Sequence, residues 1–212
     1  MALNFYDLPW NLDADACPCD VHLNEYLEKH EVSGRSIFHF GTGVHHVVGL
    51  DNVARGNLNH ILGITASKAE YNAYIDLVLE KPELALAYKV LFADVYSLNE
   101  DLLPSFDVVT LFHLGEYWTG SGQGMHGNPA PDTPLSDKDL LYLFLRKLDS
   151  RGRLLLYSGS AGRERIGPII QSALERGDLV NYSSFMTLEI FGLGPRWSRG
   201  LFGRLKSRIG LD

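Results

Sequence analysis

Three places along the 212-residue chain carry residue types that suit ligand binding or catalysis. Gly41-Thr42-Gly43 is a turn that lets the backbone approach a ligand closely, because glycine has no Cβ. Asp94 offers a carboxylate that accepts hydrogen bonds. His113 is a residue type whose free side chain titrates near neutral pH, and it is followed three residues later by the acid Glu116. These residue types point to a ligand pocket in which a proton could be moved.

The elements that would position these residues are alternating strands and helices. Strands are predicted at 36–40, 59–64, 88–92, 106–112, 153–157 and 185–191. The apolar run at 106–112 is uninterrupted, which is typical of a strand buried on both faces. Strand–helix alternation implies right-handed crossovers. We therefore predict an α/β fold, a three-layer α/β/α sandwich around a mostly parallel, doubly wound sheet.

In a sheet of this kind, ligands bind beyond the carboxyl ends of the strands, at the point where the strand order reverses. The glycine turn and Thr65 follow the first and second predicted strands, and Asp94 and His113 follow the third and fourth. We therefore expect all four to surround one crevice.

Helix boundaries are indicated by residues that suit helix ends. Asp20 can cap a helix that runs to about residue 31. Pro168 suits the first turn of a helix that ends near residue 176. Capping boxes, which open two further helices, are predicted for the pairs Ser67 with Glu70 and Ser136 with Asp139.

Composition and charge limit the classes of function. The chain is 45% hydrophobic and 21% charged, as folded proteins are, and we place one domain at residues 1–194 with an N-terminal helical cap. A formal net charge of -7 argues against nucleic acid as a partner. No apolar run reaches the roughly 20 residues that span a bilayer, and the N-terminus lacks a secretory pattern. We expect a cytoplasmic protein.

Four motifs together resemble those of the class I S-adenosylmethionine-dependent methyltransferases. They are the first strand with its glycine turn (37–43), the acidic end of the third strand (92–95), the fourth strand (106–113), and a helix, glycine turn and fifth strand (145–156). Their order and spacing agree with the family from about residue 35 to residue 191. The resemblance implies S-adenosylmethionine as cofactor and methyl transfer to a small-molecule acceptor as the reaction.

The resemblance also implies roles for individual residues. The glycine turn would lie under the aminoacyl part of the cofactor, and Asp94 would receive the exocyclic amine of adenine. His113 and Glu116 would face the acceptor, with His113 as a base where the acceptor must lose a proton. The alternative is a packed histidine beside a solvated glutamate. The residues expected to bind the cofactor are Phe40, Gly41, Thr42, Gly43, His45, Thr65, Asp94, Val95 and Phe112.

Three residues depart from the family pattern. His39 replaces an acid in the first strand, His45 stands where a further glycine is usual, and Thr65 replaces the acid that binds the ribose hydroxyls. A hydroxyl makes weaker hydrogen bonds than a carboxylate, so weaker cofactor binding is predicted. The rival hypothesis is a catalytically inactive, methyltransferase-like protein that acts through binding or interaction. A dinucleotide site is poorly supported, because His46 occupies the third glycine position of its motif.

The two cysteines, Cys17 and Cys19, are separated by one proline. This spacing is too tight for an ordinary structural disulfide. A metal site together with His22 would need a fourth ligand that the sequence does not indicate. We interpret the cysteines as ordinary thiols and predict no metal site.

Two segments have separate predictions. The tail, 195–212, is basic, and 196–209 has apolar residues at nearly helical spacing, the pattern of a helix that lies on an anionic membrane or docks on a protein partner. The alternative is a solvated basic terminus. Residues 117–134 form a long loop that is either a wall for the acceptor or a surface loop with incidental aromatics; its candidate residues are Tyr117, Trp118 and His126.

Overall fold

A computed structural model describes residues 5–116 and 133–197 of the chain, and in these residues seven strands form one sheet. The strands are β1 (Ser36–Phe40), β2 (His60–Thr65), β3 (Tyr88–Phe92), β4 (Phe106–Thr110), β5 (Leu148–Tyr157), β6 (Leu179–Phe185) and β7 (Leu188–Leu193). Their spatial order is β3-β2-β1-β4-β5-β7-β6. Strands β1 to β5 run parallel, whereas β7 is antiparallel to both β5 and β6.

Helices cover both faces of the sheet and are α1 (Cys19–Lys29), α2 (Val47–Ala54), α3 (Lys68–Glu80), α4 (Leu84–Ala87), α5 (Asp137–Lys147) and α6 (Arg163–Glu175). Helices α1 to α4 supply buried residues such as Leu23 and Tyr74 to one core cluster. Helices α5 and α6 supply others, such as Phe144 and Ile166, to the cluster on the opposite face. The predicted three-layer α/β/α sandwich is confirmed.

The strand order reverses at β1, which pairs with β2 on one side and with β4 on the other. The carboxyl ends of these two neighbours therefore open a crevice beside the end of β1. Strands β1 and β3 have the predicted bounds, while β4 ends at Thr110, two residues earlier than expected. The segment 111–116 is consequently a turn at the edge of the crevice.

The prediction of one last strand at 185–191 was wrong, because a hairpin of β6 and β7 occupies this region. Met186, at the turn, has the left-handed φ of 51° that lets the chain reverse. Strand β6 lies at the edge of the sheet, and of its seven residues only Leu179 is buried. An edge strand with so little buried surface gives no apolar pattern to detect.

Two predicted helix starts were also wrong. Pro168 lies in the middle of α6, because the apolar face of this helix begins with the buried Ile166 and the helix starts at Arg163. Proline has no N–H to donate to the carbonyl four residues earlier, so this turn of α6 is weakened. Asp20 is the second residue of α1 instead of its cap, and Pro18 occupies the cap position. The side chain of Asp20 is buried and available to the crevice.

Several predictions concern residues outside the described part of the chain. These include Tyr117, Trp118 and His126, and the tail from residue 198 onward, which holds most of segment 196–209. Trp197, near the start of the tail, is described and packs against the core on the α5 and α6 face. Among the described helices, none is long and apolar enough to cross a membrane.

Candidate functional site

A cavity of about 250 Å³ lies at the carboxyl edge of the sheet, above the glycine turn that follows β1. Its wall combines the N-terminal segment, the turn after β1, the turn after β4 and the end of β5. Lining residues with polar or aromatic side chains include Tyr6, Trp10, Cys17, Cys19, Asp20, His45, Glu70, His113, Glu116 and Tyr157. The structure therefore brings together His45, His113 and Glu116 as predicted, and adds residues that the sequence did not suggest.

A second, smaller cavity of about 20 Å³ lies beside the first, toward β2 and β3. It is lined by the predicted residues Phe40, Gly41, Thr65, Asp94 and Val95. Gly41 also lines the larger cavity, so the glycine turn and the acid after β3 converge on one edge, as expected. The smaller cavity has room for only about one water molecule.

The smaller cavity is restricted by residues 5–16, which we call the N-terminal strap. The amide of Tyr6 donates to the carbonyl of Ala66 (3.1 Å), and the amide of Lys68 donates to the carbonyl of Tyr6 (3.1 Å). Farther along, the amide of Val44 donates to the carbonyl of Trp10 (2.9 Å). Tyr6 lines both cavities. The strap thus crosses the ends of the strands at the position predicted for adenosine.

The glycine turn is held in a conformation that other residues rarely adopt. Gly41 has φ of 89° and Gly43 has φ of 56°. A Cβ at Gly41 would lie 2.7 Å from Cδ2 of His113, and a Cβ at Gly43 would lie 2.3 Å from Nε2 of His45. Two imidazole rings therefore pack directly on the turn. A side chain at either glycine would clash with one of these rings, and the positive φ also favours glycine at both positions.

Thr42 and Thr65, two predicted cofactor residues, are buried and both lie against Glu70. The hydroxyl of Thr65 donates to Oε2 of Glu70 (2.5 Å), and that of Thr42 lies 3.5 Å from the same atom. Burial raises the pKa of Glu70, although hydrogen bonds from Thr65 and from the backbone of Trp10 oppose the shift. A carboxyl group is therefore present at the end of β2, but it comes from α3.

Glu70 was missed as a site residue because the capping-box pattern gave it another role. Ser67 does accept a hydrogen bond from the amide of Glu70 (3.3 Å), so this half of the predicted box is confirmed. The carboxyl group of Glu70 turns into the site, however, and the amide of Ser67 donates to Thr65 instead (3.0 Å). The box at Ser136 and Asp139 is complete.

His113 and Glu116 form a partly buried pair at the wall of the larger cavity. Nδ1 of His113 donates to Oε2 of Glu116 (3.1 Å). Oε1 of Glu116 accepts from the hydroxyl of Ser160 (2.6 Å) and the amide of Ala161 (3.1 Å). Glu116 is thus an anchored partner that orients the imidazole, and not a solvated loop residue.

The charge of this pair bears on the predicted role of His113 as a base. Burial would lower the pKa of His113, but the hydrogen bond and the charge of Glu116 raise it to about 9. For Glu116, burial raises the pKa, and the contacts with His113 and Ser160 outweigh it, so the net shift is downward. The pair is therefore an ion pair at neutral pH. This charge state favours His113 as a hydrogen-bond donor over a role as proton acceptor.

Asp20 supplies a second carboxyl group, next to His39 and His45, the two histidines that depart from the family pattern. Its Oδ1 lies 3.5 Å from Nε2 of His39, and its Oδ2 lies 3.7 Å from Nε2 of His45. Burial raises the pKa of Asp20 to about 7 and lowers that of His39 to about 3. Nδ1 of His39 is bonded to the hydroxyl of Thr110 (2.9 Å). The acid that the first strand lacks is therefore provided by α1.

Two cysteine thiols complete this wall. Sγ of Cys17 lies 3.5 Å from Sγ of Cys19, and Cys19 in turn lies 3.7 Å from Oδ1 of Asp20. The hydrogen bond from Cys19 lowers the pKa of Cys17 to about 6 against the effect of burial, and the charge of His113 adds to the shift. Cys17 is half-buried and faces the cavity, whereas Cys19 is buried.

The remaining predicted cofactor residues differ in their positions. Asp94 is buried, and its carboxylate accepts from the amide of Tyr96 (3.0 Å). It thereby caps the short 3₁₀ turn Val95–Ser97. Phe40 and Val95 line the smaller cavity. Phe112 lies in the core against the ring of His39, with centroids 6.0 Å apart, and it lines neither cavity. The motif places Phe112 next to the site, but the early end of β4 turns its ring inward.

Comparisons with known proteins find structural matches only. No protein-family model and no curated protein matches the sequence. Solved structures that match include a Staphylococcus aureus protein assigned as a caffeoyl-CoA O-methyltransferase, with a TM-score of 0.60 at 9% identity over 88% of this chain and 86% of that chain. Another is ribosomal protein L11 methylase from Lactobacillus delbrueckii subsp. bulgaricus, with 0.53 at 14% identity over 88% and 82%.

A third match is the [4+2]-cyclase SpnF, with a TM-score of 0.52 at 19% identity over 84% of this chain and 65% of that chain. The chain spans less than two thirds of several matched chains: 65% of SpnF, 39% of a coclaurine N-methyltransferase and 51% of the CcbJ methyltransferase from Streptomyces caelestis. Identities of this size show the fold alone. The chain is therefore similar in structure to class I methyltransferases and has a methyltransferase-type α/β fold.

Proposed function

We propose that the protein transfers a methyl group from S-adenosylmethionine to a small-molecule acceptor. The observation that carries this proposal is the arrangement at the carboxyl edge of the sheet. The turn at Gly41 and Gly43 lies between two buried acids, Glu70 and Asp94, and opens into the larger cavity beside His113. The turn would offer the cofactor a backbone surface, and the two acids would offer it hydrogen-bond acceptors on either side of that surface.

The residues present fit the cofactor in kind. The turn at Gly41 offers a surface without Cβ atoms for the aminoacyl group, and Glu70 offers the ribose hydroxyls the carboxylate that Thr65 cannot. Asp94, beside Val95, would accept from the exocyclic amine of adenine. The bound cofactor would supply a methyl group on a sulfonium ion, which a nucleophile displaces.

The larger cavity would hold the acceptor. It is lined by Trp10 and Tyr157, which offer apolar ring surface, and by the His113–Glu116 pair. A charged imidazole would donate a hydrogen bond to a polar group of the acceptor and fix its orientation. Most of the acceleration in methyl transfer can come from holding the acceptor in line with the methyl group, so positioning of this kind is the chemistry that the site supports.

Cofactor binding by this site requires the strap to move. A cavity of about 20 Å³ does not admit adenine, and Tyr6 lines the space that the base would need. Along residues 5–16, several large apolar side chains are exposed, among them Phe5, Leu8 and Trp10. Since little apolar surface holds the strap down, we propose that it lifts for cofactor entry and then closes over the cofactor.

A second candidate is a catalytically inactive protein of this fold that acts through binding. The closed state of the smaller cavity favours it, because Tyr6 and the backbone of Ala66 are joined across the adenosine position. On this alternative, the strap is a permanent part of the fold, and the larger cavity binds a ligand of its own.

Calorimetric titration of the chain with S-adenosylmethionine and S-adenosylhomocysteine separates the two candidates. We expect binding well below a Kd of about 1 mM. Glu70→Gln should weaken S-adenosylhomocysteine binding by about tenfold, the loss of one charge-assisted hydrogen bond. The matched control is the exposed Glu83→Gln, which should bind normally. Absent or millimolar binding of both compounds would favour the inactive candidate.

A further inference from the structure

We propose that Cys17, Cys19 and His113 form a binding site for a thiophilic divalent metal ion such as Zn²⁺, with an open coordination position toward the larger cavity. The candidate ligand atoms of these three residues all lie within 4.8 Å of one another. The proposal rests on this geometry and does not depend on the proposed function, in which the hydrogen bond from His113 to the acceptor belongs to the metal-free state.

The distances suit tetrahedral coordination. With zinc–sulfur bonds of about 2.3 Å, two thiolates on one ion are separated by about 3.8 Å. The two sulfur atoms are 3.5 Å apart, which is close to that value and far longer than the roughly 2.05 Å of a disulfide. A nitrogen and a sulfur on one tetrahedral zinc ion are about 3.5 Å apart, so the histidine nitrogen and the sulfurs need to approach by no more than about 1.3 Å.

The local backbone explains why both thiols point to one place. The amide of Cys17 donates to the carbonyl of Asp13 (2.8 Å), and Oδ1 of Asp13 accepts from the amides of Asp15 (3.1 Å) and Ala16 (2.9 Å). This turn leads into Pro18 at the cap of α1, so Cys19 is the first helical residue. A rigid proline between a closed turn and a helix start fixes the separation of the two sulfurs.

His113 is oriented as metal-binding histidines usually are. These residues commonly donate one ring N–H to a carboxylate, which fixes the ring and leaves the other nitrogen toward the metal. Here Nδ1 of His113 donates to Glu116, whose second oxygen is bonded to Ser160 and Ala161. The metal would therefore take Nε2, with Glu116 as the positioning residue.

The partner in this site differs from the one considered from sequence. His22 lies on α1, three residues after Cys19, but its Nδ1 is bonded to the hydroxyl of Thr187 (2.7 Å). His113 reaches the thiols from the turn after β4, a contact over nearly a hundred residues that spacing rules do not reveal. With three protein ligands, the fourth position would hold water or a thiolate or hydroxyl group of a small molecule in the cavity.

Binding releases protons, because the metal takes thiolates and a neutral imidazole. The thiol proton of Cys19, the remaining fraction of the proton on Cys17 and the proton on Nε2 of His113 pass to solvent as the ion enters. No electrons are exchanged.

The test uses the full chain, reduced and stripped of metal, titrated with Co²⁺ alone. We expect one ion per chain, a thiolate-to-cobalt charge-transfer band in the near ultraviolet, and the strong visible bands of tetrahedral cobalt, all lost on addition of Zn²⁺. Cys17→Ser should remove most of the charge-transfer intensity and weaken binding at least tenfold. Cys17 is the preferred position because it is half-buried, whereas Cys19 is packed at the start of α1.

Two further variants keep the test decisive. Glu116→Gln should weaken Co²⁺ binding by about 10- to 100-fold while the thiolate bands remain at saturating metal, as expected for a positioning residue. His22→Gln, the matched control, should bind as the unmodified chain does. The proposal is overturned if the reduced chain gives no thiolate band, or if Cys17→Ser leaves the band and the affinity unchanged. Because the readout needs neither cofactor nor acceptor, its failure is separate from failure of methyl transfer.

Discussion

The two halves of the carboxyl edge differ in how open they are. The half beside β4 has a cavity of about 250 Å³, and its charged or polar groups meet there across elements that are distant in sequence. The half beside β2 and β3 has only about 20 Å³, and its acid, Asp94, is already hydrogen bonded to a neighbouring residue. Glu70 lines the larger cavity and accepts from Thr65, which lines the smaller one. If the proposed function is correct, the comparison teaches that the acceptor side is preformed, whereas the cofactor side is closed by the strap and would have to open.

The largest effect is expected from adding a charge to the closed half. Thr65→Asp places a second carboxyl group where the hydroxyl now donates to Glu70. Two buried carboxylates cannot both ionise at this distance, so the free energy of unfolding at pH 7 should fall by about 3 to 5 kcal/mol. Urea unfolding of Thr65→Asp beside the control Thr65→Ser measures this.

Part of that loss should return at pH 5, because the proton that one of the two carboxyl groups must hold in the folded state costs less free energy at lower pH. Equal stability of Thr65→Asp and Thr65→Ser at pH 7 would contradict the burial of Glu70. Tighter binding of S-adenosylhomocysteine by Thr65→Asp would instead assign the ribose contact to position 65.

The second prediction concerns how the free energy of unfolding depends on pH, and it rests on His46, which lies behind the closed half. Its Nδ1 bonds to the hydroxyl of Tyr88 and its Nε2 to the carbonyl of Glu70, both at 2.8 Å. Burial lowers the pKa of His46 from 6.5 to about 4. The folded state therefore excludes a proton that the unfolded state binds, and stability present above pH 6.5 is lost as the pH falls toward 4, by about 3 kcal/mol at most.

The measurement is urea unfolding at several pH values between 7 and 4. His46→Asn keeps a residue that tolerates the left-handed φ of 44° and removes the titrating group, so its stability should fall less steeply with pH. His60→Gln, at an exposed position, should retain the steep dependence. An unchanged slope for His46→Asn would show that His46 does not carry the effect.

The smallest effect on stability, about 1 kcal/mol, is expected from opening the closed half. Tyr6→Ala removes a side chain that lines both cavities, so the smaller cavity should enlarge. If the strap hinders entry, S-adenosylhomocysteine affinity should rise several-fold, because less of the protein is in a closed state. Calorimetry beside Leu8→Ala, an exposed strap position, provides the comparison. Weaker binding by Tyr6→Ala would make Tyr6 a cofactor contact instead of an obstruction.

Much of the fold could be predicted because its signals are local. The apolar runs at β1 and β3 gave their bounds, and the Ser136 cap gave the start of α5. The glycine turn was placed correctly at the end of β1, since a turn after a buried strand needs residues that tolerate positive φ. Signals of this kind depend on a few consecutive residues.

Much of the site could not be predicted, because it depends on side chains from distant segments. Asp20 and Glu70 both have the sequence positions of helix-capping residues, and only tertiary packing turns their carboxyl groups toward His39 and Thr65. The approach of Cys17 to His113 joins the start of α1 to the turn after β4. Edge strand β6 was missed for a different reason, its nearly complete exposure.

The strap gives the molecule two separate unfolding events with different costs. Its backbone is hydrogen bonded to the rest of the chain through groups that include the amides of Tyr6, Trp10, Val44 and Lys68. The hydroxyls of Ser67 and Tyr157 donate to the carbonyls of Leu8 and Ala16. Detachment of residues 5–16 would leave the sheet intact, so deuterium would enter the amide of Tyr6 long before those of β1. We therefore expect residues 5–16 to act as a detachable cover whose release leaves the core folded.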